Sequence, residues 1–130
     1  MAGSFSDYLE NELLDHVFKV GAFTQPTNLY VALYTVAPTD AGGGTEVSGG
    51  SYARKLHNSW DAAAGGATAN TGAITFDQAT GDWGTVVAFG IFDALSGGNL
   101  LAWADLTANK AIASGDTAQF AAGELDVTLD

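Results

Sequence analysis

The sequence has no cysteine and little positive charge. Among 130 residues there are four Lys and Arg against 15 Asp and Glu, which gives a net charge of −11. Without cysteine the chain has no disulfides, no thiolate metal ligands and no cysteine nucleophile. With so few basic side chains it lacks the counterion release that drives nucleic-acid binding, and anionic membrane surfaces are disfavoured for the same reason. We therefore expect no nucleic-acid partner and no membrane partner.

Long apolar runs are also missing. No stretch approaches the roughly 20 apolar residues that span a bilayer, and no charged and apolar leader of the classical export type opens the chain. Hydrophobic residues nevertheless make up 47% of the sequence, while charged residues make up 15%. This composition suits a single domain over residues 1–130 that buries part of its surface in an assembly.

One amphipathic helix is predicted at residues 5–20, "FSDYLENELLDHVFKV". Apolar residues recur there at every fourth position, a spacing that places them on one side of a helix. The members of this stripe are Phe5, Leu9, Leu13 and Val17, widened by Leu14 and Phe18. We expect the stripe to pack on a sheet.

Capping signals surround this helix. Ser4 with Asp7 three residues later fits a capping box, and Gly21 stands where a helix-terminating glycine is common. Residues 1–4 are then predicted to precede the helix as a short N-terminal arm.

After Pro26 the apolar period changes from near four to two. In "NLYVALYTV", residues 28–36, alternate side chains point to opposite faces, as in a half-buried strand. Further strand candidates, separated by Gly-containing turns, are 51–59, 72–76, 85–93, 99–106, 116–121 and 124–129. The pattern predicts a mainly β protein, an antiparallel β-sandwich or small barrel over residues 28–129, with one N-terminal α-helix.

A Gly-rich segment at 41–50 raises the question of phosphate binding. A P-loop needs Lys and then Ser or Thr directly after its glycines. Here Gly44 is followed by Thr45 and Glu46, which places a carboxylate where a phosphate would lie. We therefore predict no cofactor, and we interpret the segment as an exposed surface connection whose glycines permit positive φ.

The remaining polar residues show no catalytic or metal-binding pattern. His16 and His57 are too few for a zinc site without cysteine. Neither Asp40 with Glu46 nor the segment 77–84 has the ligand spacing of a calcium loop. No G-x-S-x-G motif is present, and no pair of acidic residues stands out for glycoside hydrolysis. The sequence predicts no catalytic residue, no metal site and no enzyme.

Two tryptophans have more than one interpretation, and two neighbouring cations have one. Trp83, in the turn-like "GDWGT", is interpreted mainly as core packing, with a sugar or a neighbouring subunit as alternatives; Trp60 is a second candidate for stacking on a sugar. Arg54 and Lys55, on an acidic background, are predicted to be ion-pair partners.

Two segments carry a resemblance to a known family. They are "LYVALYTVAPTDAGGGTEVSGGSYAR" at 29–54 and "WGTVVAFGIFDALSGGNLL" at 83–101. Together they resemble small structural proteins of tailed bacteriophage virions, whose members are called tail fibre, minor tail or capsid decoration proteins. The resemblance runs along nearly the whole chain. It implies a virion component without enzymatic activity and without catalytic residues.

The size and charge of the chain limit where in the virion it is expected to lie. A full fibre usually has a long repetitive shaft, which 130 residues do not contain, and a chain at −11 would be repelled by packaged DNA. The first hypothesis is therefore a capsid decoration (cement) protein on the capsid exterior, bound to the major capsid protein. A minor tail or tail fibre-associated protein is the alternative, followed by a glycan-binding module for host adhesion.

The resemblance also suggests how the chain assembles. Decoration proteins of this kind often form trimers, and a homotrimer would bury apolar surface between protomers. Residues predicted to contact the capsid or a neighbouring protomer are Phe5, Tyr8 and Trp83. Phe5 belongs to the opening segment "MAGSFS", which is expected to reach out as an anchor.

Overall fold

The computed structural model describes residues 3–129, and it is mainly β, with antiparallel sheets and one helix. No closed barrel forms among these residues, so the predicted fold class is confirmed in its sandwich form. The elements in chain order are β1 Gly3–Phe5, α1 Asp7–Val17, β2 Tyr30–Val36, β3 Thr45–Glu46, β4 Lys55–Leu56, β5 Ala67–Ala69, β6 Ile74–Thr75, β7 Gly84–Phe92, β8 Leu100–Ile112, β9 Gln119–Phe120 and β10 Asp126–Thr128.

The main sheet has the strand order β1-β8-β7-β2-β3, and β4 pairs with another part of β2. Its centre is the hairpin of β7 and β8, in which Phe89 lies opposite Ala104, while Leu33 of β2 lies opposite Phe89 on the other side. The β7–β8 pairing is irregular between Val86 and Ala88. A bulge of this kind bends the sheet and increases its twist.

The main sheet carries apolar residues on both faces. The larger cluster contains Val31, Leu33, Val86, Phe89, Ile91 and Ala104 from the sheet, with Ile74, Phe76, Trp83, Phe120 and Leu125 packed against them. The smaller cluster contains Ala32, Tyr34, Ala88, Phe92 and Leu100. Strands buried on both faces explain why β2 and β7 read as nearly continuous apolar runs in the sequence.

Two short antiparallel sheets, β5 with β10 and β6 with β9, complete the sandwich. Asn70 joins them from a buried position: its Nδ2 donates to the carbonyl oxygens of Gly72 at 2.7 Å and Ala121 at 3.0 Å, and its Oδ1 accepts from Leu125 N at 2.9 Å. The burial of this amide is stabilised because its hydrogen-bonding groups are satisfied.

The helix is shorter than the predicted 5–20. It begins at Asp7 because Ser6, not Ser4, is the N-cap: the Ser6 Oγ accepts from Leu9 N at 3.2 Å and also donates to the Leu100 carbonyl. It ends at Val17, and Lys19, not Gly21, has the left-handed φ of 71° that terminates it. The Val20 N–H then closes the last turn on the Asp15 carbonyl at 2.9 Å.

The predicted N-terminal arm also differs from the structure. Gly3, Ser4 and Phe5 form an edge strand that pairs antiparallel with β8, with Gly3 opposite Ala104. The other two residues of the arm, 1 and 2, lie outside the described residues. Phe5 therefore belongs to the main sheet and not to the helix.

Other strand predictions differ in length. The segment 51–59 contains only the two residues of β4 as strand, whereas β8 extends to Ile112, well beyond the predicted 99–106. The additional β8 residues pair with the start of β7, where Gly84 lies opposite Ile112.

Candidate functional site

The Gly-rich connection after β2 is tied into the fold. Thr39 and Gly42 exchange two backbone hydrogen bonds of 2.8 Å, which closes a tight turn. Asp40 within this turn accepts from the Asp7 N–H through its carbonyl oxygen at 2.8 Å and from Trp103 Nε1 through its carboxylate at 2.9 Å. The turn thus holds the start of α1 and one residue of β8 together.

Two glycines of this connection are required by close backbone approach. A Cβ on Gly44 would lie 2.6 Å from the Val36 carbonyl oxygen, and one on Gly50 would lie 2.8 Å from the Gly81 carbonyl oxygen. Both residues also have positive φ, which disfavours other side chains. These glycines serve packing and turn geometry.

Arg54 and Glu46 form the most buried ion pair found among the described residues. The guanidinium Nε and Nη2 donate to the two oxygens of Glu46, each at 2.9 Å, and the Arg54 side chain is 8% exposed. Tyr52 donates from its hydroxyl to Glu46 at 2.7 Å and accepts from Leu33 N at 3.0 Å. The predicted ion-pair role of Arg54 is confirmed.

Arg54 also reaches the turn that joins β7 to β8. Its Nη1 donates to the carbonyl oxygens of Ala94 at 2.9 Å and Gly97 at 2.8 Å, and its guanidinium carbon lies 3.6 Å from the centre of the Phe92 ring. Stacking on an aromatic face adds to the attraction. We call this group, Glu46, Tyr52 and Arg54, the clamp.

The clamp shifts the pKa values of its members. Burial raises the pKa of Tyr52 well above its usual range, and the hydrogen bond to Glu46 acts in the same direction. Burial opposes the charged form of Arg54, but the hydrogen bonds and the charge of Glu46 leave the Arg54 pKa raised. Arg54 therefore stays charged and Tyr52 stays neutral, and both act as structural groups.

The turn held by the clamp has its own internal bonds. Asp93 accepts from the backbone N of Asn99 at 2.7 Å and from its Nδ2 at 2.9 Å. The two segments that carry the resemblance, 29–54 and 83–101, thus meet in one hydrogen-bonded unit. The polar residues of the clamp join the Gly-rich connection to the turn between β7 and β8.

Trp83 lies in the core. It is 4% exposed, its Nε1 donates to the Gly50 carbonyl at 2.9 Å, and its ring meets that of Tyr52 edge-on at 5.3 Å. The structure therefore corrects its placement as a capsid or protomer contact, and a ring buried in this way is not available to stack on a sugar. Trp60 is half-buried and bonded to the His57 carbonyl at 3.0 Å.

The other two predicted contact residues line two different cavities near the start of α1. Phe5 lines a groove beside the helix, and Tyr8 lines a cavity of about 400 Å³ between α1, the Thr39–Gly42 turn and Asn99. Both side chains are half-buried. Neither Phe5 nor Tyr8 lies near Trp83 in a common surface, because Trp83 is enclosed by the core.

The outer face of α1 is apolar and uncovered. No α1 residue is buried, and Leu14, Val17 and Phe18 are 56%, 62% and 70% exposed. A groove of about 450 Å³ runs beside them and is also lined by Leu129, which is 54% exposed. The prediction that the whole apolar stripe packs on a sheet is therefore wrong for these residues.

The described residues show neither a metal-binding cluster nor a membrane-spanning helix. Residues 3–129 contain no group of three or more His, Cys, Asp or Glu side chains arranged to hold a metal ion. None of the helices described there is long and apolar enough to cross a membrane.

Comparison with known proteins decides the family. Residues 4–128 match the model of the podophage GP4 fiber I protein gp80 family. The chain belongs to this family. As a member of the podophage fiber I protein family, it is a structural protein of a phage virion, which confirms the resemblance seen in its two segments. No curated protein matches the chain.

Proposed function

We propose that this protein is a non-enzymatic, fibre-associated subunit at the tail of a short-tailed phage. The family match over residues 4–128 carries the proposal, because the family is named for a podophage fiber protein. The sequence taken alone favoured capsid decoration, chiefly on the grounds of size and acidity. Membership of a fiber protein family supports the alternative instead, a tail fibre-associated protein.

The arrangement of polar groups supports a structural role. Arg54, Glu46 and Tyr52 are occupied in the clamp, and Asp40 and Asp93 are occupied in turns. Side chains held in this way fix loops on a rigid sandwich. Such a scaffold suits a protein whose task is to present a surface.

The position in the particle is tested by labelling and counting. A gold-labelled antibody against the protein should mark the tail end of purified particles. Quantitative mass spectrometry should give from a few to about a dozen copies per particle, as expected for a closed ring around a tail. Copies on the order of hundreds, spread over the head, would instead support the capsid decoration hypothesis.

The absence of enzymatic activity is a separate part of the proposal. Purified protein should release no sugar from host surface polysaccharide. Variants with substituted carboxylates should support normal infectivity as long as they fold and are incorporated into the particle. Release of oligosaccharide by the purified protein would contradict this part. The predicted homotrimer and the predicted contact with a major capsid protein stay predictions.

A further inference from the structure

The outer face of α1, defined as Leu14, Val17 and Phe18 together with Leu129, is an exposed apolar surface to which the fold gives no role. Helical geometry explains it. Successive residues turn by about 100°, so Leu14 and Phe18 lie roughly opposite Leu9, which faces the sheet with Leu13. Val17 lies on the side of Leu13, but it is the last residue of the helix and is 62% exposed. The exposed fractions agree, since Leu9 and Leu13 are half-buried.

The apolar surface continues beyond the end of the helix. Val20, in the segment that follows the Lys19 turn, is 77% exposed. Contiguous exposed apolar residues beside a groove are characteristic of interaction sites, whereas single exposed apolar residues are ordinary. The groove beside Phe5 and Leu129 has room for side chains of another molecule.

Charge indicates what kind of molecule covers this face. Glu10 lines the groove together with Leu14 and Val17, and Asp15 is exposed next to Leu14. Lys19, after the end of α1, is the one Lys or Arg between residues 7 and 20, so acidic side chains outnumber basic ones around this face. Two copies meeting through this face would bring like charges together, on chains that already carry −11 each. A partner with Lys and Arg around an apolar centre would instead be attracted.

We propose that the outer face of α1 is the attachment surface of the protein, and that it binds an apolar patch rimmed by Lys and Arg on a different protein of the virion. This inference rests on the proposed function insofar as it places the partner in the particle. The apolar centre supplies affinity, and the carboxylates select the partner and speed its encounter.

Cross-linking within the particle identifies the partner directly. A photo-reactive amino acid is placed at position 18 in the phage-encoded chain, and a matched one at position 56. Leu56 is a suitable control because it is 49% exposed and lies on β4, which pairs with β2, away from the edge that carries β1. Cross-links from position 18 should reach another virion protein at a segment with Lys or Arg beside apolar residues, and position 56 should give none to that segment.

Re-binding measures the strength of the contact. Purified protein is added to particles that lack it, at increasing salt concentration. Leu14→Asp with Phe18→Asp should weaken binding by about tenfold or more, as loss of central apolar contacts does. Glu10→Lys with Asp15→Lys should weaken binding and reduce its salt dependence, whereas Leu56→Asp should bind like the unchanged protein. Equal thermal unfolding of all variants shows that the fold is retained.

Each outcome decides a different point. If the unchanged protein is present in particles and the Leu14→Asp, Phe18→Asp variant binds equally well, the attachment surface is wrong and the proposed function stands. If position 18 cross-links to a second copy of this chain, the heterologous partner is wrong. If the unchanged protein is missing from purified particles, the proposed function fails and this inference fails with it.

Discussion

Arg54 and Glu46 meet through two parallel hydrogen bonds of 2.9 Å, and the same guanidinium holds the carbonyl oxygens of Ala94 and Gly97. One side chain therefore joins the end of the Gly-rich connection to the turn between β7 and β8. The two segments are distant in the sequence, so the contact stabilises only the folded chain.

Glu46→Gln should lower the free energy of unfolding by about 2–3 kcal/mol, measured by urea denaturation. The change keeps the shape of the side chain but leaves the buried Arg54 charge without its counter-charge, which is the costly way to break a buried pair. Asp77→Asn is the control, because Lys55 and Asp77 are 3.7 Å apart and exposed. That change should alter stability by no more than about 0.5 kcal/mol. Similar losses in both variants would contradict the buried role of the clamp.

Stability should fall in strong alkali because two tyrosines are held neutral. Burial raises the pKa of Tyr34 to about 12, with the charge of Glu46 acting in the same direction, and it raises that of Tyr52 further. A raised pKa means that the stabilisation is complete below the unfolded value of about 10 and is lost as pH rises toward the folded value. Denaturation should therefore need less urea at pH 11 than at pH 9. If a Tyr34→Phe, Tyr52→Phe variant lost as much stability between pH 9 and pH 11 as the unchanged protein, the two tyrosines would not be the cause of the loss.

Gly50→Ala should be far more harmful than Gly49→Ala, although the two glycines are adjacent and both have positive φ, 57° and 76°. An added Cβ on Gly50 would lie 2.9 Å from Trp83 Nε1, whereas one on Gly49 would meet nothing within 4 Å. We expect a loss of about 3 kcal/mol for Gly50→Ala and of about 1 kcal/mol for Gly49→Ala, from calorimetric melting. Equal losses would show that backbone conformation alone sets the cost.

Lys19→Gly should raise the free energy of unfolding by about 1 kcal/mol, because Lys19 has a φ of 71° at the end of α1 and glycine adopts this conformation without strain. Lys19→Ala is the matched control. It removes the same positive charge but keeps the Cβ, so it should give no such gain. A gain of equal size in both variants would assign the effect to charge.

The sequence predicts the centre of the fold better than its edges. Strands are predicted at 28–36 and 85–93 and form at Tyr30–Val36 and Gly84–Phe92, because β-forming residues dominate these segments and turns bound them. The strand at Gly3–Phe5 was missed since three residues show no periodicity, and its existence depends on β8 offering a free edge. Propensity alone could not supply that information.

The helix ends show a second kind of limit. Ser4, Ser6 and Gly21 are all plausible caps by residue type, and the pairing of residues 3–5 with β8 decides between the two serines. At the other end, the helix stops at a strained Lys19 although a glycine is available two residues later. A tertiary contact therefore decides the N-terminal end, whereas at the C-terminal end local hydrogen bonds from Val20 N and Gly21 N to the Asp15 carbonyl close the last turn.

The candidate site was predictable in part. The ion pairing of Arg54 follows from the scarcity of cations on an acidic chain, which predicts ion pairs for both Arg54 and Lys55. The partner of Arg54 and the turn that it holds depend on how two distant loops meet. The stripe from Leu9 to Phe18 was recognised as apolar, yet periodicity does not tell which part of a wide stripe faces solvent. The exposure of Leu14 and Phe18 follows from the position of α1 at the edge of the sheet.

The groove beside α1 is lined by Phe5 from the first strand and by Leu129 next to the last one. The two ends of the described chain therefore lie close to each other, which is the geometry that tolerates circular permutation. A short linker from residue 129 to residue 3, with new termini opened in the exposed segment 61–63, would preserve the strand pairings of the main sheet. In such a permutant β1 and α1 would follow β10 in the chain, so the groove would be formed by neighbours in sequence instead of by opposite ends.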